Sequence, residues 1–179
     1  ERGIVFSGKP DNFNKIMEGF DVVQFDEEIT KLFEDKGLSF TDRVFRIGSD
    51  SVNFTYSGKA FYLERTFLIQ GGLNNVNHDY FKIPENIQGG GVSKKLFQSL
   101  YKQYQNVGVE VLNVHANINV GGYTWAKYGF GTKKNAFTYD IAKEKLTKDE
   151  LAGFEKLFGL YGEKKNFLNK LANTDYGKK

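Results

Sequence analysis

The stretch from residue 81 to residue 97 reads FKIPENIQGGGVSKKLF, and it joins two kinds of secondary structure. Residues 76–83 have the character of a β-strand, which ends near a proline. After the glycines, apolar side chains recur at helical spacing and form one stripe, made of Val92, Leu96, Phe97, Leu100, Tyr101 and Tyr104. The order predicts a strand, a glycine-rich turn and a helix that begins next to Gly91.

A glycine-rich turn that opens a helix has the physical properties of an anion site. The first N–H groups of a helix lack intrahelical acceptors and lie at the positive end of the helix dipole. Glycine also lets a phosphate approach the backbone closely. A tight turn without a ligand is the open alternative. The stretch is neither a P-loop, because no Gly-Lys-Ser/Thr follows, nor a G-x-G-x-x-G dinucleotide fingerprint.

Upstream of this stretch the pattern predicts an antiparallel meander. Strands are expected at residues 44–47, 52–56 and 60–70, separated by turns rich in glycine and serine. Before the meander we expect a short strand at residues 4–6. Two helices should follow that strand, at residues 12–20 with Asp11 as the N-cap and at residues 27–36.

Downstream, residues 109–118 predict a strand and residues 121–128 a short helix closed by Gly129. The strand carries a polar row, which indicates that this side meets a cleft, water or a partner; its members are Asn113, His115, Asn117 and Asn119. Residues 136–139 are a further strand candidate before a helical tail. We therefore predict a mixed α+β fold, a mostly antiparallel sheet with helices on both faces. It should form one domain at 1–142, with a helical extension at 143–179 packed on it.

Composition excludes several classes of function. The 179 residues include no cysteine and two histidines, so disulfide scaffolds, thiolate zinc sites and His-rich metal sites are not expected. No apolar run reaches the length of a membrane span, so no membrane partner is expected. The net charge of +3 comes from residues 143–179, where nine lysines face six acids on what reads as a solvated helix surface. Nucleic acid is therefore not an expected partner. The chain begins without Met, which suggests a piece of a longer protein.

Residues 81–97 resemble the acyl-coenzyme A signature of the GNAT N-acetyltransferases. That signature reads Arg/Gln-x-x-Gly-x-Gly/Ala after a strand that ends near a proline. Gln88 matches its first position, Gly91 its central glycine, and Ser93 replaces its last small residue. Residues 119–130 resemble the second motif of the family, an Asn near a helix that ends in Gly-Phe. The clear resemblance covers residues 76–130 of this divergent sequence.

The resemblance implies that acetyl-coenzyme A binds as a cosubstrate. The pyrophosphate would receive N–H groups from Gly89, Gly91, Val92 and Ser93. The pantetheine arm would pair with the backbone of Phe81 and Ile83, at a splay between strands 76–83 and 109–118. Gln88 and Gly90 would line the same loop, and Asn119 would join the site from the second motif. The implied activity is direct transfer of an acetyl group to an unidentified amine in the cytoplasm, without a metal.

Transfer to an amine needs a base to take up the proton of the amine. Candidates are Glu64, His78, Asp79 and His115. In many GNAT members a Tyr four residues before the closing Gly protonates the leaving thiolate. Trp125 stands there in this sequence, and an indole N–H is a donor of negligible acidity. The expected acid is therefore water or Tyr128, and the catalytic candidates are Tyr128, Glu64 and His115.

A second hypothesis is that the chain has the GNAT fold but no catalytic activity. The replacement of the usual Tyr by Trp125 and the lack of an obvious base favour a GNAT-shaped binding or structural module of a larger assembly. Residues 121–130 also resemble, more faintly, segments of phage particle proteins. That likeness would imply a phage-encoded chain and a place in the virion.

Overall fold

The computed structural model describes residues 3–114, 125–131, 136–164 and 166–177. Contacts within the chain divide it into two compact units, residues 1–115 and residues 116–179. The organisation expected from the sequence, a domain at 1–142 with an extension at 143–179, stays a prediction.

The first unit contains a six-stranded sheet in which the strands follow one another in chain order. The strands are β1 (Val5–Gly8), β2 (Asp42–Ile47), β3 (Ser51–Gly58), β4 (Phe61–Gln70), β5 (Leu73–Lys82) and β6 (Val111–Val114). The pairs β1–β2 and β5–β6 are parallel, and the three pairs between them are antiparallel. The mixed α+β class and the mostly antiparallel sheet are thus confirmed. The strands predicted at 76–83 and 109–118 are neighbours, as expected.

The helices of this unit are α1 (Pro10–Met17), α2 (Val22–Glu34) and α3 (Val92–Val107). The predicted start of the first helix is wrong, because Lys9 is the N-cap and Asp11 lies in the first turn. Pro10 explains the shift, since its fixed φ and missing N–H suit the first helical position. The second helix begins earlier than predicted because the Asp21 side chain accepts a hydrogen bond from the Gln24 N–H.

One face of the sheet and all three helices share a single apolar core. Alternate side chains of β3 and β4 point into it, and the rings of Phe25, Phe54 and Phe67 are among its fully buried members. The rings of Phe25 and Phe54 meet edge to face with their centroids 5.5 Å apart. The expectation that helices also cover the other face stays a prediction.

The second unit contains α4 (Ala136–Lys145), α5 (Lys148–Tyr161) and α6 (Phe167–Ala172). The strand considered at residues 136–139 is wrong, because these residues begin α4. Residues 125–127 are helical and a turn at Gly129 follows, while residues 121–124 of the predicted helix lie outside the described ranges. The Asn169 amide holds this short segment by donating to the carbonyls of Ala126 (2.8 Å) and Lys127 (3.1 Å). No helix within the described ranges is long and apolar enough to cross a membrane.

Candidate functional site

The connection from β5 to α3 contains two glycines in the left-handed region. A turn of 3₁₀-helix at Glu85–Ile87 follows β5, and Gly89 and Gly91 then both adopt φ of +77°. Gly91 is the N-cap of α3 and provides no side-chain cap. Residues other than glycine rarely adopt this conformation. Because glycine has no side chain that could accept a hydrogen bond, the first N–H groups of α3 receive no side-chain cap. The predicted beginning of the helix next to Gly91 is confirmed.

The first turn of α3 leaves its N–H groups available. Lys95 is the first residue of α3 whose backbone N–H donates back along the chain, to the carbonyl of Gly91 at 3.1 Å. Among the described residues, no backbone acceptor meets the N–H groups of Val92, Ser93 or Lys94. A Cβ added to Gly91 would meet no atom of the described residues within 4 Å, so the space beside this glycine is open there. The Val92 side chain is buried in the core, which fixes the position of the first turn of α3.

The end of β5 and the glycine loop are tied together. The Gln88 amide donates to the carbonyl of Ile83 at 3.2 Å, and the Ile83 side chain is buried. The structure therefore brings most of the predicted coenzyme residues into one short connection; these are Phe81, Ile83, Gln88, Gly89, Gly90, Gly91, Val92 and Ser93. Asn119 lies outside the described residues.

A β-bulge interrupts β5 at Asp79. The described pairing of the two strands runs from Asn75 with Val111 to His78 with Val114. On the other side of β5, His78 pairs with Arg65 and Tyr80 pairs with Glu64, so Asp79 is the extra residue. Beyond His78 the strand has no β6 partner within the described residues. The splay that the resemblance implies between these two strands stays a prediction, because residues 115–118 lie outside the described residues.

The side of the sheet away from the core carries a hydrogen-bonded chain of polar groups. The Asn53 amide donates to Glu64 Oε1 (3.0 Å) and to Thr66 Oγ1 (3.1 Å), and the Thr66 hydroxyl donates to Asp79 Oδ2 (2.7 Å). Glu64 is half-buried and Asp79 is exposed. Two carboxylates that could take up a proton thus lie on one accessible face, beside the bulge.

On the core side of the same strands lies a buried polar cluster of Arg65, His78 and Tyr104. The Tyr104 hydroxyl and His78 Nε2 are 2.8 Å apart, and all three side chains are at most 4% exposed. Burial, assisted by the nearby Arg65 charge, lowers the pKa of His78 to about 2. Burial likewise raises the pKa of Tyr104 to about 12. His78 therefore faces the interior and is not a base for a bound amine, which corrects its place among the candidates.

Of the other two catalytic candidates, the structure describes only Tyr128. His115 lies outside the described residues. Tyr128 belongs to the second unit, where it is 43% exposed and its ring centroid lies 6.2 Å from that of Trp125. The two aromatic rings are thus neighbours on this short segment. Trp125 itself packs edge to face against Phe130, with centroids 5.0 Å apart.

Sequence reasoning did not identify Arg65 or the bulge. The inward-facing row of β4 is apolar at Phe61, Leu63 and Phe67, and Arg65 interrupts it. A charged residue at an inward position needs partners inside the core, so this interruption of the apolar row could have indicated a buried polar cluster. A bulge has no comparable signature in a single sequence.

Comparison with protein-family models, with curated proteins and with solved structures finds no match to this chain. Within the described residues, no group of three or more His, Cys, Asp or Glu side chains is arranged to hold a metal ion. The features of this chain that bear on function are therefore the residues of the glycine loop, the strand pair beside it and the resemblance to the GNAT signature.

Proposed function

We propose that this protein is an acyl-coenzyme A-dependent N-acyltransferase of the GNAT type. The observation that supports this function best is the bare, glycine-capped start of α3 directly after β5. Its open N–H groups and positive dipole suit a pyrophosphate, and Gly89 and Gly91 leave room for one. The adjacent end of β5 would present the backbone of Phe81 and Ile83 to the pantetheine arm.

The reaction requires one bond to form and one to break. The amine nitrogen attacks the thioester carbonyl, a C–N bond forms and the C–S bond breaks. The ammonium proton passes to a base, and the thiolate takes a proton from an acid. Glu64 and Asp79 are the bases that the described face offers beside the bulge. Tyr128 or water remains our proposal for the acid.

Isothermal titration with acetyl-coenzyme A tests this proposal. We expect binding by the parent chain and none by Gly91→Glu, because a carboxylate would occupy the space in front of the N–H groups. Gly37→Glu is the matched control: Gly37 also has positive φ and open space around its Cβ position, but it lies at the end of α2. Loss of binding in both variants, or in neither, would refute the loop as the site.

A second candidate is a binding module without catalysis. Between α2 and α3 lies an open groove of about 440 Å³, lined by side chains of both charges that include Glu28, Lys31, Lys95 and Lys102. Such a surface, which combines these charged side chains with the apolar Ile29 and Leu32, suits a partner protein within a larger assembly. Coenzyme binding without turnover on a broad panel of amines would favour this candidate over the enzyme.

A further inference from the structure

Arg65 is a charged side chain inside an apolar core, and its presence there requires a physical reason. It is 2% exposed, and its Nε has no hydrogen-bond partner among the described residues. A guanidinium without a carboxylate partner in the core is costly, and an apolar side chain of similar volume is usually at least as stabilising. Desolvation also lowers the pKa of Arg65, so the fold holds this charge against an energetic penalty.

Two hydrogen bonds of Arg65 go to the backbone at one place, and its guanidinium also interacts with the Tyr104 side chain. Its Nη1 donates to the carbonyl of Glu64 at 2.6 Å and to the carbonyl of Tyr80 at 2.9 Å. Glu64 and Tyr80 form the strand pair directly beyond the bulge, where the register shifts. A bulge disrupts the ladder locally, and a buried carbonyl without a donor would destabilise it. The guanidinium supplies donors to the two strands together.

The bulged residue is held from the opposite face as well. Thr66, the residue next to Arg65, donates its hydroxyl to Asp79 Oδ2 at 2.7 Å. The bulge is therefore fixed from inside the core and from the polar face. One consequence is visible in the side chains: Tyr80 is 53% exposed, whereas uninterrupted alternation from His78 would turn it into the core.

We infer that Arg65 is a positioning residue for the coenzyme site: it fixes the bulge at Asp79 and so sets the course of residues 80–83, which lead into the glycine loop. The inference rests on the proposed function, because the ligand of that segment is the acyl-coenzyme A thioester. Arg65 itself touches no ligand. It acts through the backbone of β5, whose last residues would pair with the pantetheine arm.

Three variants test the inference: Arg65→Met, which keeps the volume, Arg65→Lys, which keeps the charge, and Arg46→Met on the polar face as a control. The readouts are backbone hydrogen exchange of residues 79–83 and the dissociation constant for acetyl-coenzyme A. In Arg65→Met we expect exchange of this segment to rise about tenfold relative to β3. Affinity should fall about tenfold to hundredfold, since small misplacements weaken such sites strongly.

Arg65→Lys should give an intermediate loss in both readouts, because an ammonium can reach a carbonyl but lacks the planar fork. If Arg65→Met does not fold, the same two measurements on Arg65→Lys test the inference. A uniform rise of exchange over β3, β4 and β5 with unchanged affinity would show a merely structural role and overturn the inference. If the parent binds no acetyl-coenzyme A, the proposed function fails. A local rise of exchange at residues 79–83 in Arg65→Met would still show that Arg65 fixes the bulge at Asp79.

Discussion

Arg65, His78 and Tyr104 show how single residues decide the character of this molecule. Each is polar and buried: Arg65 and His78 belong to the sheet and Tyr104 to α3, in a core that is otherwise rich in phenylalanine. His78 is neutral there because burial and the charge of Arg65 both oppose its protonation. Histidine is the side chain that ordinarily changes charge near neutral pH, so this arrangement makes the stability of the fold depend on pH.

At this scale we predict that acid destabilises the protein through His78. The unfolded chain binds a proton as pH falls below about 6.5, whereas the folded protein cannot, since the pKa of His78 is lowered to about 2. The stability contributed by neutral His78 is complete above pH 6.5 and is lost as pH falls towards 2.

Urea unfolding of the parent and of His78→Gln measures this effect. Between pH 7 and pH 5 the parent should lose about 2 kcal/mol more of its free energy of unfolding than the variant. Above pH 7 the two pH dependences should coincide. Identical pH dependence between 7 and 5 would contradict the placement of His78 in the folded protein.

At the scale of elements, the sequence predicts what depends on local pattern and misses what depends on partners. The start of α3 follows from Gly91 and the apolar stripe behind it, and the strands of the meander follow from alternation. The bulge at Asp79 was not predictable, because it needs Arg65 and Thr66 on the neighbouring strand. It leaves Tyr80 on the polar face opposite Glu64, and Asp79 accepts a hydrogen bond from Thr66 on that same face. The helix α4 was missed because its β-branched and aromatic residues also suit a strand.

A prediction at this scale concerns the start of α5. The Thr147 hydroxyl accepts from the Glu150 N–H, and the Glu150 carboxylate accepts from the Thr147 N–H, which makes a reciprocal capping box. Thr147→Ala should weaken the helix by about 1 kcal/mol, which corresponds to about fivefold faster hydrogen exchange in its first turns.

The matched control is Asn166→Ala at the start of α6. Asn166 occupies the N-cap but makes no side-chain capping bond, so its replacement should change exchange in α6 little. Equal effects of the two substitutions would show that the capping box does not stabilise α5.

For the whole molecule, the two compact units differ in how much apolar surface they bury. The core of residues 1–115 contains most of the buried large side chains, while the described core of residues 116–179 is built around Ala142, Phe154 and Phe167. A unit with a small core is marginally stable. We therefore expect the α4–α6 region to open before the sheet does.

Native-state hydrogen exchange of the intact chain tests this expectation. Amides of β3 and β4 should exchange with the free energy of global unfolding, and those of α4 and α6 should exchange at least about 100-fold faster. Equal protection in both units would mean that the chain unfolds as one cooperative body.

That the start of α3 is an acyl-coenzyme A site is tested most directly by an amide NMR titration of the intact chain with acetyl-coenzyme A. We predict saturable shifts of the N–H signals of Gly89, Gly91, Val92 and Ser93, accompanied by those of Phe81 and Ile83. The same titration with inorganic phosphate should shift only the signals of the loop, and weakly. If acetyl-coenzyme A leaves these signals unchanged, or shifts only residues elsewhere in the chain, the claim is contradicted.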